Sequence, residues 1–187
     1  MELVRLRALC FIVEAAGVGS MISRGNACQS IGLLGVSREA RHMLVELGVI
    51  PVLMELFRIG DNAAKLVAGN TLGVVVWSNV DYIRHVAEAG AIPLYAELLQ
   101  GSDPNDSGKE IAKEVFYILG VAEANAVEIV GHLVRIFILG DDKAKVAAAY
   151  VIWDLLDYKH TTSVIQVRSL FSLSFWVMAV MSCIFKI

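Results

Sequence analysis

Val45-Glu46-Leu47-Gly48-Val49-Ile50-Pro51-Val52-Leu53-Met54-Glu55-Leu56 returns, forty-two positions on, as Ala87-Glu88-Ala89-Gly90-Ala91-Ile92-Pro93-Leu94-Tyr95-Ala96-Glu97-Leu98. A period of that length is the signature of stacked helical repeats of roughly 40–47 residues. One such unit cannot bury its apolar face alone, so it stacks on neighbours, and the stack presents a long surface to partners. Gly just past a helix ends it at low cost, because it enters the left-handed region without a Cβ clash. Pro is tolerated in the first turn of a helix, where its missing N–H has no partner. Gly48 and Gly90 therefore read as helix stops, and Pro51 and Pro93 as starts of the helices that follow. Leu53, Leu56 and Phe57 form an i, i+3, i+4 apolar stripe, and Leu94, Leu98 and Leu99 form a similar one.

A second string recurs downstream. Lys65-x-x-Ala68-x-x-x-Leu72, Lys109-x-x-Ala112-x-x-x-Phe116 and Lys145-x-x-Ala148-x-x-x-Ile152 share one frame. The small Ala lets a neighbouring helix approach, and the apolar residue four later lies on the same face. Polar turn formers precede each copy: Gly60-Asp61-Asn62, Gly101 through Asp106, and Gly140-Asp141-Asp142. Long helices are expected from near Asn62, Ser107 and Asp142, with Ala68, Ala112 and Ala148 buried. No run alternates with period two, so the chain is expected to be all-α.

These strings resemble the armadillo-repeat family: a short helix ending in an acidic residue and Gly, then Ala-Ile-Pro, a Leu-rich helix, a polar turn, and a long third helix rich in Ala. Residues 81–99 carry the likeness most fully. It weakens at Ala122–Ile129, where Gly-x-Ile-Pro is absent. The resemblance is closest in flavour to the armadillo region of plant U-box ubiquitin ligases and to armadillo-only proteins. It implies a right-handed α-solenoid of about three to four repeats over residues 1–162. No U-box string precedes the repeats, so ligase activity is not carried over. The function implied is a protein-interaction scaffold binding a partner peptide or protein along the concave third-helix face. The alternative is a client-recognition fragment of a ubiquitin-ligase system lacking its U-box.

The family's import adaptors place Trp and, four residues later, Asn on the third helix. Here those places hold Asn70 and Val74, Glu114 and Ile118, and Tyr150 and Asp154. The ladder is broken, so a receptor for nuclear-localisation signals is not expected. By the resemblance, Asn70, Glu114, Tyr150 and Asp154 are the candidate partner-binding residues, with Trp153 assigned to the core.

Composition bounds the alternatives. Net charge is −3; residues 1–162 hold all 19 acids and, with Arg168 and Lys186 set aside, 14 of the 16 bases, a balance of −5. That leaves no basic footprint for nucleic acid and a mild preference for basic partner peptides. Cys10, Cys28 and Cys183 are scattered without Cys-x-x-Cys spacing and are expected to be core thiols; His42, His85, His132 and His160 are equally dispersed. Gly17-Val18-Gly19 lacks the third glycine of a nucleotide loop and reads as a turn. No metal, cofactor or catalytic string is present, so neither enzyme nor cofactor is expected.

Both ends break the pattern. Leu3–Ala16 is interrupted by Arg5, Arg7 and Glu14, unlike a signal peptide, and resembles the last helix of an upstream repeat. Residues 163–187 form a separate hydrophobic segment, and residues 169–185 carry no charge. Three readings stand for it: a C-terminal membrane anchor, a hydrophobic capping helix, or an extension foreign to the repeat. The expected location is cytoplasmic or nuclear, with membrane attachment by that segment as the alternative, and the chain is expected to be part of a longer array.

Overall fold

The computed structural model describes residues 2–77, 79–101 and 105–157, and these are all-helical, with no strand among them. The helices are α1 (Glu2–Gly17), α2 (Met21–Leu34), α3 (Arg38–Glu46), α4 (Val49–Ile59), α5 (Asn62–Val76), α6 (Val80–Glu88), α7 (Ala91–Gln100), α8 (Ser107–Leu119), α9 (Glu123–Leu139) and α10 (Asp142–Asp157). Two compact units divide the chain inside α7, the first ending at Tyr95 and the second beginning at Ala96. Residues 163–187, with the uncharged stretch 169–185 and Cys183, lie outside the described residues. Among the described residues no helix is long and apolar enough to cross a membrane.

In the first unit, α3, α4 and α5 form the short–short–long repeat. Ser37 caps α3 by accepting from the Ala40 amide at 3.4 Å, and Asp61 caps α5 by accepting from Ala64 at 2.8 Å. Gly48 (φ 77°) and Gly90 (φ 85°) take the left-handed turns between helices. Pro51 and Pro93 sit in the third helical positions of α4 and α7, two residues later than the first-position reading. Each still lies in the first turn, where the absent N–H costs nothing. Each also clashes with continuation of the preceding helix, because its ring would meet the carbonyl four residues back.

The N-terminal region differs from the sequence reading. α1 packs on α4 and α2 on α5, so α1 holds a second-helix place and α2 is the third helix of that repeat. α2 carries a further copy of the frame, Arg24-x-x-Ala27-x-x-x-Ile31, with all three residues buried. Arg24 donates from Nε to the Ala16 carbonyl at 2.9 Å and reaches Glu55 at 3.4 Å, linking α2 to α1 and α4. Thr71 of α5 donates to the Cys28 carbonyl at 3.1 Å. A Cβ on Gly32 would come within 3.1 Å of the same hydroxyl, so glycine sets how closely the two helices meet.

Ala68, Ala112 and Ala148 are fully buried, as are Leu72 and Phe116, while Ile152 keeps 8 % exposure. Leu53, Leu56 and Phe57 of α4 are buried too; on α7 the core is made by Ile92, Tyr95, Ala96 and Leu99, while Leu94 and Leu98 are only half-buried. Cys28 is buried, whereas Cys10 is exposed on α1, which corrects its assignment to the core.

The second unit departs from the repeat where the sequence signature fails. α9 runs unbroken from Glu123 to Leu139, replacing the first two helices with one. Gly131 follows Gly90 by forty-one positions, but Val134 stands where Pro would be. Val134 keeps the N–H that a proline lacks, so nothing stops the helix from continuing through Gly131. Asn125 secures the α8–α9 turn by donating to the Leu119 carbonyl at 3.1 Å.

Candidate functional site

Asp106 opens α8 in a left-handed conformation (φ 52°), and its carboxylate turns to lysines rather than to the helix amides. Lys109, buried to 6 % exposure, donates to the Gly101 carbonyl at 2.7 Å and to Asp106 Oδ1 at 2.9 Å. Lys143 of α10 approaches Oδ2 at 3.3 Å. The hydrogen bond from Lys109, then that from Lys143, hold the Asp106 carboxyl below the usual carboxylate range. One turn along, Lys113 pairs with Glu110 at 2.6 Å and sets its ammonium 5.9 Å from the centre of the Tyr150 ring, within cation–π range.

Asp106–Lys143 and Lys113–Tyr150 are both separated by thirty-seven positions. α8 and α10 therefore lie side by side and run in the same direction. Between them is an open groove of about 380 Å³, lined by these residues with Asp142, Val146 and Ala147. Val146, Tyr150 and Trp153 fall at i, i+4 and i+7 on α10, and each is 36–41 % exposed. Tyr117 of α8, 42 % exposed, lies one turn beyond Lys113.

Of the candidate residues, Tyr150 lines this groove. Glu114 and Asp154 are exposed on α8 and α10 outside its lining, and Asn70 is exposed on α5 in the first unit. Trp153 is not a core residue. Its spacing from Val146 and Tyr150 was visible, but an apolar stripe at helical spacing usually faces inward, and here it belongs to the face that α8 leaves open. Lys109 belongs to the repeated frame, which says nothing of the Gly101 carbonyl and Asp106 carboxylate that hold it, and Lys113 has no motif of its own; the packing of α8 beside α10 brings Lys113 to Tyr150. Among the described residues no group of three His, Cys, Asp or Glu side chains converges as a metal site.

No protein-family model matches the sequence, and no curated protein matches it. Solved structures do. A designed armadillo repeat protein in complex with the peptide (KR)4 superposes with a TM-score of 0.68 at 16% identity, over 90% of this chain and 74% of that one. A second designed armadillo repeat protein gives 0.65 at 15% identity, over 87% and 71%. Computationally designed armadillo repeat proteins for modular peptide recognition give 0.60 at 16%, over 84% and 77%. The fold is of the armadillo type. In that frame α2, α5, α8 and α10 are third helices, and the α8–α10 groove lies along two of them.

Proposed function

We propose that this armadillo-type chain is a binding scaffold without chemistry of its own, taking an extended segment of a partner protein along its third-helix face. The observation that carries this reading is the exposed row Val146, Tyr150 and Trp153 beside the α8–α10 groove. Aromatic rings left half-exposed on a rigid helix supply contact area at little cost in conformational entropy. Glu114, Asp142 and Asp154 are exposed around them and form no ion pair among the described residues, whereas Asp106 and Glu110 are already matched by lysines. The surplus is acidic, which favours a segment carrying Lys or Arg whose stems lie against Tyr150 and Trp153. Asn70 would supply a polar contact of the same kind on α5, the third helix of the first unit's repeat. The (KR)4 complex of the designed neighbour supports this choice of ligand class. On this reading the protein works in the cytoplasm or nucleus.

The test is fluorescence anisotropy of a labelled (KR)4 peptide, with an acidic peptide of equal length as control. The basic peptide should bind in a salt-sensitive manner and the acidic one should not. Replacing Asn70, Glu114, Tyr150 and Asp154 together by Ala should weaken binding by about tenfold or more, the effect of losing one or two kcal/mol of contact. Equal binding of both peptides, or of the quadruple variant and the parent, would remove the third-helix face as the site.

A further inference from the structure

The outward face of α9 is apolar where a solvated helix is polar. Ala124, Val127, Gly131, Val134 and Ile138 follow one another at spacings of three and four, the heptad pattern of a helix that meets another helix. Val127 is 52 % and Ile138 64 % exposed; Ala124 and Gly131 are also exposed and Val134 is half-buried. α4 turns Glu55 and Arg58 outward instead, and α7 turns out Glu97 and Gln100. A Cβ built on Gly131 meets nothing within 4 Å, so the middle of the stripe is an open notch. One flank of the stripe, Val130 and Phe137, turns toward the protein itself. The other carries Glu128 and Arg135, both exposed and neither in an ion pair among the described residues.

We infer that this stripe is a self-association surface that takes the α9 of a second copy of the chain, antiparallel, with the two-fold axis at Gly131. The charges select this occupant and this direction. In an antiparallel pair crossing at Gly131, Glu128 faces the partner's Arg135 and Arg135 faces the partner's Glu128. Ala124 meets the partner's Ile138, Val127 meets the partner's Val134, and the notch lets the backbones come close. A parallel pair would lose both ion pairs. Residues 169–185 of the same chain, being uncharged, would leave Glu128 and Arg135 unmatched.

Sedimentation equilibrium of the full chain tests the surface. A concentration-dependent species near twice 20.3 kDa is expected. Glu128→Arg and Arg135→Glu should each shift it to monomer, and the double reversal should restore it, because the pairing is regained with opposite sign. In a Cys10→Ser, Cys183→Ser background, Gly131→Cys should form a disulfide-linked dimer under mild oxidation, since the axis brings residue 131 opposite itself. A monomer at every concentration overturns the inference. So does association indifferent to the single reversals, or a Gly131→Cys thiol shielded from alkylation in a monomeric chain, which would mean that the chain's own residues cover the stripe.

Discussion

The hydroxyl of Tyr95 donates to the carbonyl of Gly69, 2.7 Å away, and both residues are buried. The bond joins the middle of α7 to the middle of α5, and the Tyr95 ring meets Phe57 of α4 with centroids 4.7 Å apart and planes tilted by 56°. A Cβ on Gly69 would press to 3.3 Å on the Phe57 ring, so the absent side chain is what admits the two aromatics. Burial drives the Tyr95 phenol far above its ordinary pKa, and it stays a donor throughout the useful pH range.

Tyr95→Phe should remove only the hydrogen bond and lower stability by about 1 kcal/mol. Tyr95→Ala should cost about 3–5 kcal/mol through the lost ring and the cavity left behind. Urea unfolding of the two variants should show that ranking; equal losses would mean that the ring is not in the core.

Ala68, Ala112 and Ala148 have no exposed surface. Changing any one to Leu should overpack its helix contact and lower stability by about 1–3 kcal/mol. Asn62→Leu, at the exposed start of α5, is the matching control and should be nearly neutral in thermal unfolding. Equal melting temperatures for the buried and exposed substitutions would count against close approach at the alanines.

Burial pushes the Cys28 thiol up to about 12, the nearby Arg24 guanidinium opposing only weakly. In a Cys183→Ser variant, a maleimide should label Cys10 at once and Cys28 only when the chain unfolds. Because the folded pKa lies above the unfolded value of 9.0, the contribution to stability is full below pH 9.0 and is lost as pH rises toward 12. Cys28→Ser should flatten that alkaline decline. Rapid labelling of Cys28 in the folded chain would contradict its burial.

Asp106 shifts the other way. Its folded pKa lies below 3.8, so its pairing with Lys109 and Lys143 stabilises the fold above that value and is lost as pH falls through the depressed one. Asp106→Asn tolerates the left-handed backbone but gives up the charge. Its melting temperature should fall below the parent's at pH 7, and the gap should close on acidification. A gap independent of pH would show that the effect is not electrostatic.

The fold was legible in the sequence wherever a break in the helix has a local cause. Gly48 with Pro51 and Gly90 with Pro93 force turns, and Asp61 and Asp141 mark helix starts by capping, so those elements lie where they were expected. The α2 copy of the frame is masked in the sequence because Arg24 replaces Lys, though its side chain still lies buried against α1. Fusion of two helices into α9 was signalled only by a missing proline. The site was less legible. Tyr150 and Trp153 share a spacing that also suits a core, and their exposure depends on how α8 lies beside α10, which no local pattern encodes. No comparison supports the finer resemblance to plant U-box ligases; turn strings such as Gly90-Ala91-Ile92-Pro93 encode architecture rather than clients.

The continuity of α9 also sets how the chain can bend. The links at Gly48 and Gly90 are two-residue turns, in which a left-handed glycine ends one short rod and lets the next begin in a new direction. α9 has no such joint; its seventeen residues make a strut about 25 Å long. Amides around Gly131 should consequently exchange with solvent far more slowly than those around Gly48 and Gly90, making α9 the stiffest rod of the described chain.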